Sequence, residues 1–153
     1  MSDRYFEDFV VGETFETGTA HVSEADIIEF ANGFDAQPWH LDSHAALKSP
    51  FKGVVASGWH TAAVTMRLLV DSGVLRATGI LGLGVDDLRW TKPVRPGTTL
   101  RVRGEVTSLE PPAHGRNAGT MRVHLITSDQ DGEAVQTEVA ILRVRLRPRH
   151  VNA

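Results

Sequence analysis

Residues 30–65 read FANGFDAQPWHLDSHAALKSPFKGVVASGWHTAAVT, and this stretch decides both the fold and the candidate chemistry of the chain. It holds a carboxylate and an imidazole five positions apart, Asp35 and His40, in a segment that a proline interrupts. Ser57 and Gly58 then open a long apolar stretch. The pattern predicts a general acid–base pair that faces the N-terminus of a helix.

The apolar stretch covers residues 58–71, which contain no proline and no glycine after the first position. Its apolar residues recur at helical spacing, and Gly73 is a suitable residue to end the helix. Such a helix is roughly 21 Å long at about 1.5 Å per residue. Because too many of its positions are apolar for a surface helix, we expect other elements to wrap around it.

The flanking sequence predicts what wraps the helix. A strand is predicted over residues 14–22, and Ser23 begins a capping box that starts a helix leading to Asp35. Pro38 predicts a loop over residues 35–42. A short helical turn is predicted next, followed by four β-rich segments at residues 80–90, 100–106, 121–125 and 133–147. Early helices and late antiparallel strands indicate the α+β class.

Length, net charge and cysteine content narrow the classes of function that the chain can have. The 153 residues predict a single domain spanning 1–153, and a net charge of −3 gives no electrostatic reason to bind nucleic acid or a membrane. Cysteine is absent, which excludes a thiol nucleophile. The charged N-terminus lacks the apolar segment of a secretory signal, and no apolar run reaches the length of a membrane span. The cytoplasm is therefore the expected compartment.

Asp35 and His40 are the first candidate for catalysis. A carboxylate and an imidazole held close together can share a water, with one taking its proton while the other supplies a proton to a substrate. The alternative is structural, with Asp35 ending a helix and His40 bonded to the backbone. Spacing alone leaves both interpretations open.

A metal site is a second alternative, because His40, Asp42, His44 and His60 offer four possible ligands. Paired histidines on one metal usually sit four apart on a regular helix, whereas a proline makes this segment irregular. We therefore expect no metal.

The start of the long helix offers a second chemical group. Ser57 lacks the glycine-flanked elbow of a serine nucleophile and is expected to be a helix cap or a substrate contact. The Gly58 amide has no partner within a helix, and the helix dipole favours negative charge there. It is therefore a candidate donor to an oxyanion such as a thioester enolate.

Two segments resemble the MaoC-like dehydratases, the (R)-specific enoyl-CoA hydratases. The first is DAQPWHLD at residues 35–42, followed by Phe51-x-Gly53 and by ASG at 56–58. The second is DLRWTKPVRPG at residues 87–97. The resemblance covers roughly residues 6–147.

The resemblance implies a hot-dog fold, in which a long antiparallel sheet wraps one central helix, and a homodimer or higher homo-oligomer. It implies reversible addition of water to a trans-2-enoyl-CoA in fatty acid metabolism, giving the (R)-3-hydroxyacyl-CoA. Acyl-CoA is then the substrate and no cofactor is expected. Asp35 and His40 would activate the water, Gly58 would bind the thioester oxygen, and Ser57 would support the site; acid and base stay unassigned within the pair.

The remaining candidates line or flank this site. Trp39, Trp59 and His60 are expected in an acyl pocket, and Lys92 and Arg95 are candidate contacts for the CoA phosphates.

One departure concerns the substrate. Gln37 stands where many members have asparagine, so the loop or the acyl group is expected to differ. A thioesterase and a non-catalytic acyl-CoA-binding module stay open as alternatives. The lack of a carboxylate on the central helix before Asp71 counts against the thioesterase.

Overall fold

The computed structural model describes residues 3–76 and 80–149. The first two residues of the charged N-terminal stretch, residues 77–79 and residues 150–153 lie outside this part. The described chain forms one five-stranded antiparallel sheet, four α-helices and one short 3₁₀ helix at Phe6–Asp8.

The sheet is built from long strands that pair in the order β1-β3-β4-β5-β2. These are β1 (Thr14–Val22), β2 (Leu81–Trp90), β3 (Thr98–Glu110), β4 (Ala118–Ser128) and β5 (Ala134–Arg145). All neighbouring strands are antiparallel. Buried and less buried residues alternate along β3 and β4, so one sheet face is covered and the other is open. The predicted strands are all present, and β3 and β4 are longer than the sequence pattern indicated.

The helices are α1 (Glu24–Phe34), α2 (Pro38–Leu41), α3 (Ser43–Leu47) and α4 (Gly58–Ser72). Ser23 caps α1 as predicted: its hydroxyl accepts from the Asp26 N–H at 3.1 Å, and the Asp26 carboxylate accepts from the Ser23 N–H at 3.0 Å. α4 ends at Gly73, which adopts the left-handed conformation with φ of 67°.

The predicted loop over residues 35–42 is wrong in part, because Pro38 begins the helical turn α2. Proline has no N–H to lose at the first helical position, and its fixed φ already suits a helix. Gln37 before it is extended, as the residue before a proline prefers. The turn is what brings His40 back toward the end of α1.

The sheet covers only one side of α4. Thr61, Thr65 and Leu68 are buried against it, whereas Trp59 and Met66 on the other side are 58% and 60% exposed. The expectation that the helix is wrapped therefore holds for one face of it. A long antiparallel sheet packed on one central helix is the hot-dog arrangement, which confirms the predicted fold. Within the described residues, no helix is long and apolar enough to cross a membrane.

Candidate active site

Asp35 and His40 meet where two helices join. Asp35 is the residue at which α1 ends, and its N–H still donates to the Ala31 carbonyl at 2.9 Å. His40 lies in the turn α2 and is 5% exposed. Asp35 Oδ2 lies 3.4 Å from His40 Nε2. The structure thus places the predicted pair side by side in a largely buried position.

The backbone carbonyl of Val55 fixes the protonation of the imidazole. His40 Nδ1 lies 2.5 Å from the Val55 oxygen, which can only accept a hydrogen bond. Nδ1 therefore carries the proton and donates. In the neutral imidazole the lone pair is then on Nε2, on the side that faces Asp35.

The Asp35 carboxylate is held in its charged form. Burial raises its pKa, but hydrogen bonds from Ser57 and Gln37, and the attraction to the His40 ring when that ring is protonated, together lower it below the usual value. The Gln37 amide nitrogen donates to Asp35 Oδ1 at 2.6 Å. Asp35 Oδ2, facing the imidazole, is thus an ionised acceptor.

The N-terminus of α4 lies in the same cleft. Ser57 caps the helix with its hydroxyl oxygen, which accepts from the Trp59 N–H at 3.2 Å, and it is 1% exposed. Gly58, the first helical residue, lines the cleft. Among the described residues, its N–H has no hydrogen-bond acceptor. An unpaired N–H at the start of a helix that borders a cleft is suited to bind an anionic oxygen.

Gly58 is required by close packing rather than by backbone conformation. A Cβ at this position would lie 2.3 Å from Cδ2 and Cε2 of Trp90. The indole of Trp90 therefore lies directly against the start of α4. Its Nε1–H donates to Gln136 Oε1 at 3.0 Å across the β2–β5 pairing, in which the two residues are opposite each other.

The cleft has a volume of about 560 Å³. Aromatic side chains form much of its wall: Trp39, Phe51, Trp59 and Trp90. Trp59 and Trp90 meet edge to face with ring centroids 5.1 Å apart. The two tryptophans predicted to line an acyl pocket, Trp39 and Trp59, therefore lie in the same cleft as Asp35 and His40.

His60 lies apart from these residues. Its ring stacks on Phe30 at 4.8 Å and lines a separate cavity beside α1. Burial lowers its pKa, and its Nδ1 has no hydrogen-bond partner among the described residues. The structure gives no contact between His60 and the cleft in which an acyl group was expected.

The two predicted phosphate contacts are engaged by other groups. Lys92 lies at the cleft but donates to Asp129 at 2.8 Å and to Glu133, which together hold its pKa above the usual value. Arg95 donates to the Phe51 carbonyl at 2.7 Å. A phosphate would have to compete with these partners.

Metal binding finds no support in the arrangement of the possible ligands. Asp42 caps α3 by accepting from the N–H groups of His44 and Ala45 at 2.7 and 3.1 Å. In residues 3–76 and 80–149, no three histidine, aspartate or glutamate side chains come together as a ligand set.

Three residues at the site were not predicted as site residues from the sequence, namely Val55, Trp90 and Gln136. Val55 acts through its carbonyl, which no side-chain pattern reports. Gln136 is 0% exposed. A polar amide within a β-rich segment is the one signal that could have pointed to a buried, hydrogen-bonded residue.

The chain is similar in structure to two solved proteins with informative names. One is a MaoC-like dehydratase from Rhodospirillum rubrum, with a TM-score of 0.90 and 43% identity over 95% of this chain and 99% of that one. The other is an R-hydratase from Pseudomonas aeruginosa, with a TM-score of 0.72 and 28% identity over 94% of this chain and 86% of that one.

A curated relative points the same way. A 3-hydroxybutyryl-CoA dehydratase from Methylorubrum extorquens is 34% identical over 112 residues, which are 70% of this chain and 66% of that protein. The sequence model of the family described as the MaoC-like domain matches residues 8–129 of this chain. With the fold, the chain therefore belongs to the MaoC-like dehydratase domain family.

Proposed function

We propose that the protein is a hydro-lyase that adds water reversibly to a trans-2-enoyl thioester and gives the (R)-3-hydroxyacyl thioester. The observation that carries this is the 3.4 Å approach of Asp35 Oδ2 to His40 Nε2, with Nδ1 bonded to the Val55 carbonyl. The names of the R-hydratase and the 3-hydroxybutyryl-CoA dehydratase support the same reaction class and configuration.

The pair is suited to hold one water. With Nδ1 protonated, both Nε2 of neutral His40 and Oδ2 of ionised Asp35 are acceptors. One water has two hydrogens, so it can donate one to each acceptor and present its oxygen to a substrate. Orientation of this kind brings the nucleophile into the geometry of attack before the reaction begins.

The reaction then uses the bound water, the Asp35–His40 pair and the Gly58 N–H. The water oxygen forms a bond to C3, and the pair takes the proton that the water loses. The C2–C3 π electrons move toward the thioester carbonyl, where the Gly58 N–H stabilises the enolate oxygen. The enolate collapses when a proton from the pair reaches C2, and dehydration follows the same path in reverse. Either member can be the acid, because the pair titrates as one unit.

The chain supplies this acid–base chemistry with its own side chains, so the proposal includes no cofactor. The substrate is an acyl-CoA thioester whose reacting end enters the cleft beside Trp39 and Trp59. Glu138 shares a cavity with Met66 and Val70 of α4, but that cavity is not the cleft. Among the described residues that line the cleft, Asp35 is the only carboxylate, so thioester hydrolysis gains no further candidate base there.

We also propose a homodimer formed through β2. This edge strand is exposed along nearly its whole length and carries Leu81, Leu83 and Val85, each more than half exposed at 51–57%. Val85 and Met66 line an apolar cavity of about 520 Å³ between β2 and α4. An edge strand with apolar side chains is a surface that pairs with another strand.

The test is turnover of a panel of trans-2-enoyl-CoA esters, followed by the ultraviolet absorbance of the conjugated thioester. The same samples are assayed for free CoA with a thiol reagent, and the product is resolved by chiral chromatography. We expect loss of absorbance without thiol release, and the R product. Thiol release at the rate of absorbance loss would indicate a thioesterase, and tight binding without turnover would indicate a binding module.

A further inference from the structure

The indole at the start of α4 is held by a buried amide. Trp90 is 46% exposed, whereas its partner Gln136 is 0% exposed. The Trp90 Nε1–H donates to Gln136 Oε1 at 3.0 Å. Rotating the ring away would leave the Gln136 oxygen without this donor in the interior, which is costly for a buried polar group.

The Gln136 amide is oriented by hydrogen bonds on its nitrogen side. Gln136 Nε2 lies 3.4 Å from Thr65 Oγ1 and 3.4 Å from Glu138 Oε2. The Thr65 hydroxyl is fixed in turn, at 2.9 Å from the Thr61 carbonyl and 2.7 Å from Thr127 Oγ1. Acceptors on the nitrogen side and a donor on the oxygen side give the Gln136 amide one favourable orientation.

The held indole packs against the residue whose N–H binds the oxyanion in the proposed reaction. Its ring lies so close to Gly58 that a Cβ there would sit 2.3 Å away. Trp59 supports the ring edge to face, with 5.1 Å between the ring centroids. A donor shielded from water stabilises a developing charge more strongly than a solvated one.

We infer that Gln136 is a positioning residue, which holds the Trp90 indole against Gly58 and keeps the first amide of α4 shielded and aimed at the thioester oxygen. The effect of this contact on catalysis rests on the proposed function. The position of the indole does not, so the two are measured separately.

Three variants test the effect on catalysis: Gln136→Met removes the acceptor, Trp90→Phe removes the donor, and the third carries both changes. Each single change is expected to lower kcat roughly tenfold to a hundredfold and to change KM less than about threefold, because misplacing a catalytic group costs rate. Since both changes break one contact, the double variant is expected to be no slower than the slower single variant.

Thr17→Val is the matched control. Thr17 is 7% exposed, and its hydroxyl accepts from the Val102 N–H at 3.0 Å between β1 and β3, outside the Gln136 network and the residues that line the cleft. We expect a loss of stability, as for Gln136→Met, with kcat within about twofold of the parent protein. If Thr17→Val loses as much kcat as Gln136→Met, the effect is one of stability and the inference is overturned.

The indole position is measured in ¹⁵N–¹H correlation spectra, in which Trp90→Phe identifies the Nε1–H signal of Trp90. Gln136→Met is expected to shift this signal and speed its exchange with water, while the other indole signals stay in place. An unmoved signal, or losses of kcat that add in the double variant, would overturn the inference. If the parent protein turns over no enoyl thioester, the proposed function fails, and the spectra still decide whether Gln136 holds the indole.

Discussion

At the scale of single residues, the proposed chemistry depends on a carboxylate, Asp35, that stays charged although it is partly buried. Ser57 and Gln37 donate to Asp35, and the imidazole beside it adds a favourable interaction when it is protonated. These interactions outweigh the burial that raises its pKa. The Val55 carbonyl fixes which nitrogen of the His40 imidazole carries the proton.

Replacing Gln37 tests this balance. Gln37→Leu removes the 2.6 Å hydrogen bond to Asp35 Oδ1, which stabilises the ionised form, so the pKa of Asp35 is expected to rise. Because the proposed reaction needs ionised Asp35, the acid limb of the kcat/KM profile should move to higher pH. Gln37→Asn keeps an amide and is expected to move it less. An acid limb that stays in place, or moves to lower pH, contradicts the assigned role of this hydrogen bond.

Most of the site could be predicted because its residues lie close together in sequence. Asp35, Gln37 and His40 fall within one short segment, and Ser57 and Gly58 carry the signature of a helix start. Trp90 and Gln136 are 46 positions apart and meet only through the pairing of β2 with β5. No local pattern specifies that register, so their contact could not be predicted.

At the scale of elements, the period of apolar residues predicted each main helix and strand, and local chemistry decided the exceptions. A proline suggested a loop at residues 35–42, but at the first position of a turn it favours a helix. The predicted wrapping of α4 also holds on one face only. A high apolar content indicates that a helix surface is covered, but it does not indicate whether residues of the same chain cover it.

Two glycines give a prediction at this scale. Gly58→Ala places a Cβ against the Trp90 ring and is expected to cost about 1–3 kcal/mol of unfolding free energy, as overpacking does, and to slow hydration at least about tenfold. Gly33→Ala is the control, because in α1 a Cβ there meets nothing within 4 Å and φ is not positive. It should stabilise the protein by about 0.5–1 kcal/mol. Urea unfolding measures both, and an unchanged Gly58→Ala protein contradicts the close packing.

At the scale of the whole molecule, the exposed side of α4 and Val85 of the edge strand β2 form one apolar surface. Met66 and Val70 on the helix are 60% and 69% exposed, and Val85 on the strand, which lines the same cavity, is 51% exposed. Trp59 lies both on this side and in the cleft, so the cleft borders the surface. A partner chain on this surface would stand at the mouth of the site.

The proposed dimer predicts a change of mass when the surface is charged. The parent protein should have twice the mass of the chain, or a larger multiple, in light scattering after size exclusion. Leu83→Lys combined with Val85→Lys is expected to shift it toward the monomer, because it places two charges on an apolar edge. Leu47→Lys, at a 61% exposed position on α3, should leave the mass unchanged. A monomeric parent protein at micromolar concentration would contradict the proposal.

The central claim is that Asp35 and His40 together activate a water for addition to an enoyl thioester. The most direct measurement is the loss of ultraviolet absorbance of crotonyl-CoA with the parent protein and with Asp35→Asn, beside unfolding curves for both. Removing one member of an acid–base pair costs about 10²–10⁴-fold in rate. We expect rapid loss of absorbance with the parent protein and a rate at least about a hundredfold lower with the variant, at similar stability. A variant that folds and hydrates crotonyl-CoA at the parent rate would contradict the account.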